Sequence, residues 1–390
     1  MQINKKHDSS TKDTPASILQ RYAYIDALRG IAILGVLLAH VSHYSNVVYP
    51  SWLQIITAVD FGPRGVQLFY VVSAFTLCLS LNKRKHIEKH AIRNFYIRRF
   101  FRIAPLFYLA ILYYLWQQNY WQGNPFHFSI LNILSTVTFI NGIFPAWINN
   151  IVYGGWSIAV ETSFYLLFPL LFYKLKTFRL TFIFTIIAIV AMQSLRLYLL
   201  SLSLIHQNFD LQTYTFEFFP SQLPVFLIGI VVFFMMHENI VNRYKKQLKF
   251  FLVAVGLLLV LQELLPLKLV PGHYTYGLLF GSLLFTLSKY PYKLLVNKVI
   301  VYIGKISFSL YLCHTAVDYW MTKLGLYHYL PANPYLNFML HFFILLVAAS
   351  GIASILFFTV EKWGIILGKK IINKYEKVTP TYIASTARTW

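Results

Sequence analysis

The apolar runs of the chain constrain its fold most, because several approach the roughly 20 residues that a helix needs to cross a bilayer. Hydrophobic residues make up 57% of the 390 residues and charged residues only 12%. A soluble chain carries about 25% charged residues, so the polar surface here is too small to cover a globule. We therefore predict an all-α, polytopic integral membrane helical bundle of about ten transmembrane helices. The predicted spans are 25–44, 65–81, 103–118, 156–173, 180–199, 222–236, 250–265, 274–288, 299–317 and 336–360.

The basic residues are distributed unevenly between the loops, and the formal net charge is +21. If the N-terminus is cytoplasmic, the inner segments carry 28 of the 34 lysines and arginines. This asymmetry follows the positive-inside rule and predicts that both termini are cytoplasmic. The positive net charge is then explained by the orientation of the protein in the membrane and by attraction to membrane lipids. Because this explanation is sufficient, we do not expect nucleic acid as a partner. The inner segments are 1–24, 82–102, 174–179, 237–249, 289–298 and 361–390.

One apolar stretch, residues 130–144, is not counted as a span. Counting it would place the basic segment 174–179 outside and would disturb every later loop. We therefore expect an interfacial or re-entrant helix there. The predicted organisation is a tail at 1–24, one membrane domain at 25–360 and a second tail at 361–390.

The usual signatures of metal sites and serine hydrolases are missing from the sequence. The two cysteines, Cys78 and Cys313, fall inside predicted spans, where a thiol behaves as a small hydrophobe. There is no CxxC, HExxH or GxSxG motif, so we expect neither a metal site nor a nucleophilic serine site. We find no convincing internal repeat, which argues against an inverted-repeat transporter.

Ionisable residues inside the predicted spans are functional candidates, because burying them in a bilayer is costly. In the first span, eleven residues separate Arg29 from His40. That spacing corresponds to three turns plus about 20°, so the two side chains share a face about 16 Å apart along the axis. Separately, Arg29 could snorkel to the headgroups and His40 could be a packing histidine. Together they indicate a polar stripe that faces an internal cavity.

Glu161 stands about one turn inside the predicted fourth span, with Ser157 and Tyr165 four residues away on the same face. In the predicted topology it lies at a depth comparable to that of His40. A carboxylate near an imidazole can fix its tautomer and support it as a general base. The alternative is a structural glutamate that bonds between helices.

The predicted ninth span places Ser307, Tyr311, His314 and Asp318 on one face. Such polar groups suit a site, but they could equally be hydrogen-bonding contacts between helices. At the inner side, Arg98, Arg99 and Arg102 precede the third span. Arginine forks suit phosphate recognition, although the same residues also serve as topology anchors.

Taken in order, six sequence blocks resemble the membrane acyltransferase-3 family, whose members O-acylate bacterial surface glycans and some small molecules. The resemblance runs from about residue 24 to residue 369, and its specificity comes from the order of the blocks rather than from any one of them. The blocks are RGIAILGVLLAH (29–40), GVQLFYVVSAF (65–75), RRFFRIAPLFY (98–108), WSIAVETSFYLLFP (156–169), ISFSLYLCHT (306–315) and VEKWGIILGKK (360–370).

Three positions depart from the family pattern. Gln67 stands where many members carry Asp, Ala74 replaces a frequent Gly, and Thr162 stands where a second glutamate is common. The resemblance therefore gives no carboxylate role to residue 67 or 162.

The resemblance implies an acetyl-CoA-dependent O-acetyltransferase of the bacterial inner membrane, with no tightly bound cofactor. His40, Glu161 and Arg29 are the implied catalytic residues, with His40 as general base. Acyl-CoA is the implied co-substrate. Arg98, Arg99 and Arg102 would bind its phosphates, while His314, Tyr311 and Ser307 would bind the acceptor or stabilise an oxyanion. The expected acceptor is a cell-surface or lipid-linked glycan, such as O-antigen or exopolysaccharide.

Two other functions fit a polytopic bundle with intramembrane charges. The chain could export a glycan or its lipid-linked precursor, in which case glycan movement would survive loss of His40. It could also be a non-catalytic scaffold for envelope assembly, in which case substitution of Glu161 would leave the phenotype intact.

Overall fold

The structure is a computed structural model that describes residues 15–44, 64–121, 128–238, 240, 272–330 and 332–376. Within these residues the chain is helical and forms no strand, which confirms the all-α prediction. The predicted span 250–265 lies outside the described residues. The α-helices are α1 Pro15–Tyr44, α2 Gly65–Arg84, α3 Ala91–Trp116, α4 Ile130–Val137, α5 Gly155–Lys174, α6 Phe178–Ser201, α7 Ser203–His206, α8 Phe209–Glu217, α9 Phe219–His237, α10 Gly272–Lys289, α11 Lys298–Lys305, α12 Ser307–Lys323, α13 Pro334–Leu356 and α14 Lys362–Glu376.

Six helical stretches in the described part are long and apolar enough to cross a membrane. The pair α11 and α12, bent by 79°, would make a seventh. The ten spans and the cytoplasmic termini therefore remain predictions. Helix α4 has only 8 residues, about 12 Å of helix, so it is too short to cross the bilayer. Its length agrees with the prediction that the stretch 130–144 is not a transmembrane span. The six stretches are Tyr22–Val41, Gly65–Arg84, Gly155–Lys174, Phe178–Ser201, Phe209–His237 and Pro334–Glu376.

Helices α2, α5 and α9 run parallel to one another. Near their starts, Gln67 donates from Nε2 to Oε1 of Gln222 over 3.1 Å. Near the ends of α2 and α9, the rings of Phe75 and Phe233 lie 6.5 Å apart. The three helices therefore start at one end of the bundle and finish at the other. We call the end that contains loop 85–90 the basic end, and the end that contains Arg64 and the start of α2 the distal end.

Helix α1 runs antiparallel to α2 and packs closely through small residues. Gly65 leaves no room for a Cβ against the carbonyl of Ala32, and Gly304 of α11 lies still closer to the carbonyl of Asp26. Small residues of this kind allow close helix approach in membranes. The polar face of α1 is consequently held inside the bundle.

Two breaks in the helices position polar groups near the basic end. The bend between α11 and α12 sets Ser307 and Ser309 at the start of α12. A π-helical turn, Phe357–Glu361, joins α13 to α14 and turns Glu361 inward, where it is 1% exposed. Ser309 Oγ donates to Glu361 Oε2 over 2.8 Å, so the two breaks are bonded to each other.

Helix α14 is fastened to loop 85–90. The carboxylate of Glu376 accepts from the backbone N–H groups of Lys89 at 2.9 Å and His90 at 2.8 Å, and from the amide of Asn94 at 2.9 Å. These contacts fix the start of α3, which carries the arginines discussed next.

Candidate active site

A cavity opens between α1, α2, α3, α5 and α12. Six of the nine predicted site residues line it, and the other three, His40, His314 and Arg98, do not. The six are Arg29, Arg99, Arg102, Glu161, Ser307 and Tyr311.

The three predicted arginines of α3 do not face the same way. Arg99 and Arg102 are three residues apart, share a helix face and line the cavity. Arg98 is rotated by about 100° and donates to Glu88 Oε1 over 2.7 Å, with both side chains buried. The same carboxylate oxygen also binds Arg84 at 2.8 Å. Arg98 is therefore part of an ion-pair network beside the cavity, and a role for it in binding acyl-CoA remains a prediction.

Arg29 reaches the same cavity from α1. Its guanidinium donates to Asp26 Oδ1 at 3.3 Å and to Thr76 Oγ1 at 3.4 Å. The contact with Thr76 on α2 directs Arg29 into the bundle rather than out to the headgroups. Three guanidinium groups thus converge near the basic end of the cavity, an arrangement suited to phosphate.

Glu161 is held in the cavity wall by two short hydrogen bonds. Ser73 Oγ and Tyr165 Oη both donate to its Oε1 at 2.6 Å. The guanidinium of Arg99 lies 5.8 Å from the centre of the Tyr165 ring, within cation–π range. No hydrogen bond joins Glu161 to His40 among the described residues. The carboxylate is therefore coupled to the arginine side of the cavity.

His40 and His314 lie against each other, with ring centroids 4.8 Å apart and the planes at 73°. His40 Nδ1 lies 2.8 Å from the carbonyl of Val36, and His314 Nδ1 lies 2.7 Å from that of Tyr311. A carbonyl only accepts, so Nδ1 carries the proton in each neutral ring and Nε2 carries the lone pair. In the described part of the chain, Nε2 of His314 is buried and has no hydrogen-bond partner.

Tyr311 separates the cavity from this histidine pair. Its hydroxyl donates to the carbonyl of Gly154 over 2.9 Å and shares a 2.7 Å hydrogen bond with Ser157 Oγ. Its ring lies 5.8 Å from that of His314. Gly154 has φ +74°, and a Cβ there would lie 2.7 Å from the Tyr311 hydroxyl oxygen. Only glycine therefore allows this contact.

Sequence reasoning missed Ser73, Gly154 and Glu361. Glu361 is buried close enough to Arg102 and Arg29 to feel their charges. It belongs to the closing sequence block, but nothing in that block showed which residue would face inward. Among the described residues, no three His, Cys, Asp or Glu side chains are grouped as metal ligands. Cys78 and Cys313 are buried free thiols.

Comparison with known proteins gives a consistent result. A sequence model of the acyltransferase-3 family, described as an acyltransferase domain, matches residues 22–358. Proteins named "Putative O-acetyltransferase" from Staphylococcus aureus strains COL, MSSA476 and MRSA252 are 24% identical to this chain over 322 residues. The match covers 75% of this chain and 50% of each relative, so the chain spans about half the length of these relatives. No solved structure matches the chain.

Proposed function

This chain belongs to the acyltransferase-3 family, and on that premise we propose that it moves an acetyl group from cytoplasmic acetyl-CoA to a hydroxyl of an envelope glycan. Family membership and the apolar helices make the protein a membrane acyltransferase. The donor, the acceptor and the location in a bacterial cytoplasmic membrane are parts of the proposal.

The observation that carries the proposal is the cavity that joins three arginines to Tyr311. At its basic end, Arg29, Arg99 and Arg102 supply the guanidinium forks that bind phosphate groups well. Tyr311, farther along, contacts His314, which contacts His40. A nucleotide thioester bound by its phosphates would extend its acyl end along this cavity toward the two imidazoles.

The histidine pair supports direct transfer by general-base catalysis. The acceptor O–H gives its proton to Nε2 of His40 as the oxygen attacks the thioester carbon. The C–S bond then breaks, and the CoA thiolate takes the proton from the imidazolium. The backbone carbonyl at Nδ1 holds the tautomer that this step requires. His314 has the same tautomer and is the alternative base.

The contacts of Glu161 support a different role from the orienting one expected from the sequence. Both imidazoles are already oriented by main-chain carbonyls. Glu161 instead accepts hydrogen bonds from Ser73 and Tyr165, whose ring lies beside Arg99. We therefore assign Glu161 to keeping the cavity wall and its arginines in place.

The deciding experiment uses the full-length protein in liposomes, with acetyl-labelled acetyl-CoA and a surface glycan fraction as acceptor. We expect label to appear as an O-acetyl ester and free CoA to be released in equal amount. His40→Ala should lower both by about 10²–10⁴. Glycan that crosses the membrane equally well with His40→Ala, and without CoA release, would replace this proposal with the exporter.

A further inference from the structure

The lining of the cavity changes from charged to aromatic along the axis of the bundle. At the basic end it consists of the three guanidinium groups, and Ser73 and Glu161 follow toward the distal end. Helix α2 runs from the distal end to the basic end, so Phe69 and Tyr70 lie about one turn farther from the arginines than Ser73 does. The charged and the aromatic parts of the lining therefore lie at different depths.

The aromatic section of the cavity consists of the rings of Phe69, Tyr70 and Tyr311. The rings of Phe69 on α2 and Tyr311 on α12 lie 6.4 Å apart, edge to face. Tyr70 stacks on Phe226 at 4.3 Å and donates to the carbonyl of Ser157 over 3.3 Å. Since the hydroxyl of Tyr311 is bonded as well, hydrogen bonds hold two of the three rings in place.

Phe69 differs from the two tyrosines because its side chain carries no polar group. It is half-buried and lines the cavity, whereas its neighbour Leu68 is 1% exposed and does not line it. Its ring therefore contributes size and an apolar surface to the cavity wall. A smaller residue at this position would widen the cavity beside Tyr311 without breaking a hydrogen bond.

The acyl group of a donor that is held by its phosphates, as proposed above, lies at this aromatic section. Tyr311 contacts His314, with ring centroids 5.8 Å apart, and His314 contacts His40. The reacting carbonyl therefore lies beside Tyr311, and any carbon atoms beyond it extend toward the distal end. On α2 the last lining residue in that direction is Val66, about 6 Å of helix beyond Tyr70.

The acceptor hydroxyl needs the same part of the cavity, because it must reach the thioester carbon from the side opposite the arginines. An acetyl group ends beside Tyr311 and leaves that space open. A longer acyl chain would have to pass between Phe69 and Tyr311 and would then occupy the path of the acceptor. The aromatic section therefore limits both the binding and the reaction of long acyl chains.

We propose that Phe69 is a specificity-determining residue, whose ring admits acetyl and other short acyl groups beside Tyr311 and excludes longer ones. The donor class of the protein is then short-chain acyl-CoA. This inference rests on the proposed function, because it requires the thioester to lie in the cavity. Close packing gives such a wall its selectivity, since an apolar site that is already filled accepts additional methylene groups poorly.

The test compares acetyl-CoA with hexanoyl-CoA as donors for the full-length protein in liposomes, with a surface glycan fraction as acceptor. The measured quantity is kcat/KM for ester formation, and its ratio between the two donors gives the donor preference. The wild type should prefer acetyl-CoA by about tenfold or more, because one methylene in a pocket already changes kcat/KM by about 10–200-fold. In Phe69→Ala this preference should fall by about tenfold or more. Phe69→Leu removes less of the side chain, so its preference should lie between the two, and it keeps the test decisive if Phe69→Ala does not fold.

Phe308→Ala is the matched control. Phe308 is also half-buried and also lines the cavity, but it lies about one turn nearer the basic end than Tyr311 on α12. Its removal should leave the donor preference at the wild-type value, whatever the absolute rate.

Three results would overturn the role of Phe69 while acetyl transfer itself stands. They are equal use of both donors by the wild type, an unchanged preference in the Phe69 variants, and an equally large shift in Phe308→Ala. A wild-type protein that forms no ester from either donor would instead overturn the proposed function, and this inference with it.

Discussion

His40 on α1 and His314 on α12 stand edge to face, and each has its Nδ1 bonded to a main-chain carbonyl one turn earlier in its own helix. A backbone carbonyl at each Nδ1 therefore leaves Nε2 as the basic nitrogen of each neutral ring. The arrangement places two imidazoles of the same tautomer side by side. It also raises the question of which imidazole acts as the base.

We expect His40→Ala to lower acetyl transfer by about 10²–10⁴, the usual cost of removing a positioned base. His314→Ala should cost less, and the double variant should be no worse than His40→Ala, because residues that act as one unit are not additive. Transfer rates and acetyl-CoA binding should be measured in parallel. The exposed His206 provides the control substitution. Wild-type rates for His40→Ala would move the base to His314, and lost acetyl-CoA binding would make His40 a binding residue.

Arg102→Ala should weaken acetyl-CoA binding, because Arg102 lines the cavity and pairs well with phosphate. Arg102→Lys should recover only part of the affinity, since lysine lacks the bidentate fork. The measurement is the dissociation constant of acetyl-CoA for protein in detergent. Full affinity in an Arg99→Ala, Arg102→Ala double variant would reduce these residues to topology anchors.

Arg98→Ala should act on stability instead. It removes one partner from a buried ion pair with Glu88, which typically costs about 3–5 kcal/mol. The remaining bond from Arg84 should keep the loss toward the lower end of that range. Thermal unfolding should show a lower midpoint while the folded protein keeps its acetyl-CoA affinity. A stable Arg98→Ala protein with weak acetyl-CoA binding would contradict this assignment and return Arg98 to the donor site.

Gly154→Ala should impair both folding and transfer. The left-handed backbone costs alanine about 1–2 kcal/mol, and the new Cβ would displace the Tyr311 hydroxyl. Gly325 has the same φ of +74° with nothing within 4 Å of a Cβ. Gly325→Ala is therefore the matched control, with similar backbone strain and normal transfer. Equal transfer rates in the two folded variants would show that the Tyr311 contact is not needed for catalysis.

A double-mutant cycle tests the two roles considered for Glu161. If Glu161 only shapes the arginine side of the cavity, the effects of Glu161→Gln and His40→Ala on transfer should be close to additive. If it supports the imidazole, the double variant should lose little beyond His40→Ala. Glu161→Gln alone should cost less than His40→Ala, because the amide oxygen can still accept from Ser73 and Tyr165.

The sequence predicted features that follow from helical periodicity and cost of burial. The all-helical fold and the shared face of Glu161 and Tyr165 are both present in the structure. Arg29, which the sequence marked as an intramembrane charge, lines the cavity with Arg99 and Arg102. Periodicity could place these residues on a face, although it could not say which face meets which neighbour.

The remaining features depend on contacts between distant segments. Arg98 faces Glu88 and Arg99 faces the cavity because of the way α3 is rotated about its axis against loop 85–90. The order of charged residues along the sequence is the same for any rotation, so the sequence does not predict this one. One of the two hydrogen-bond donors to Glu161 is Ser73, which is 88 residues away in the sequence. The left-handed Gly154 is explained only once Tyr311 is seen beside it. A local sequence pattern does not predict contacts between segments that are this far apart in the sequence.

The π-helical turn at Phe357–Glu361 has a consequence for the whole of α14. A turn with one additional residue advances everything that follows by about 100° around the helix axis while adding only about 1.5 Å of length. Deleting one residue there would barely shorten the chain, yet it would rotate Glu361 away from Ser309. It would also turn Gly364 and Gly368 away from Phe101 and bring bulkier side chains against that residue. The turn therefore sets which face of α14 points into the bundle. A sequence alignment that removed the additional residue would match inward-facing positions of α14 with outward-facing ones.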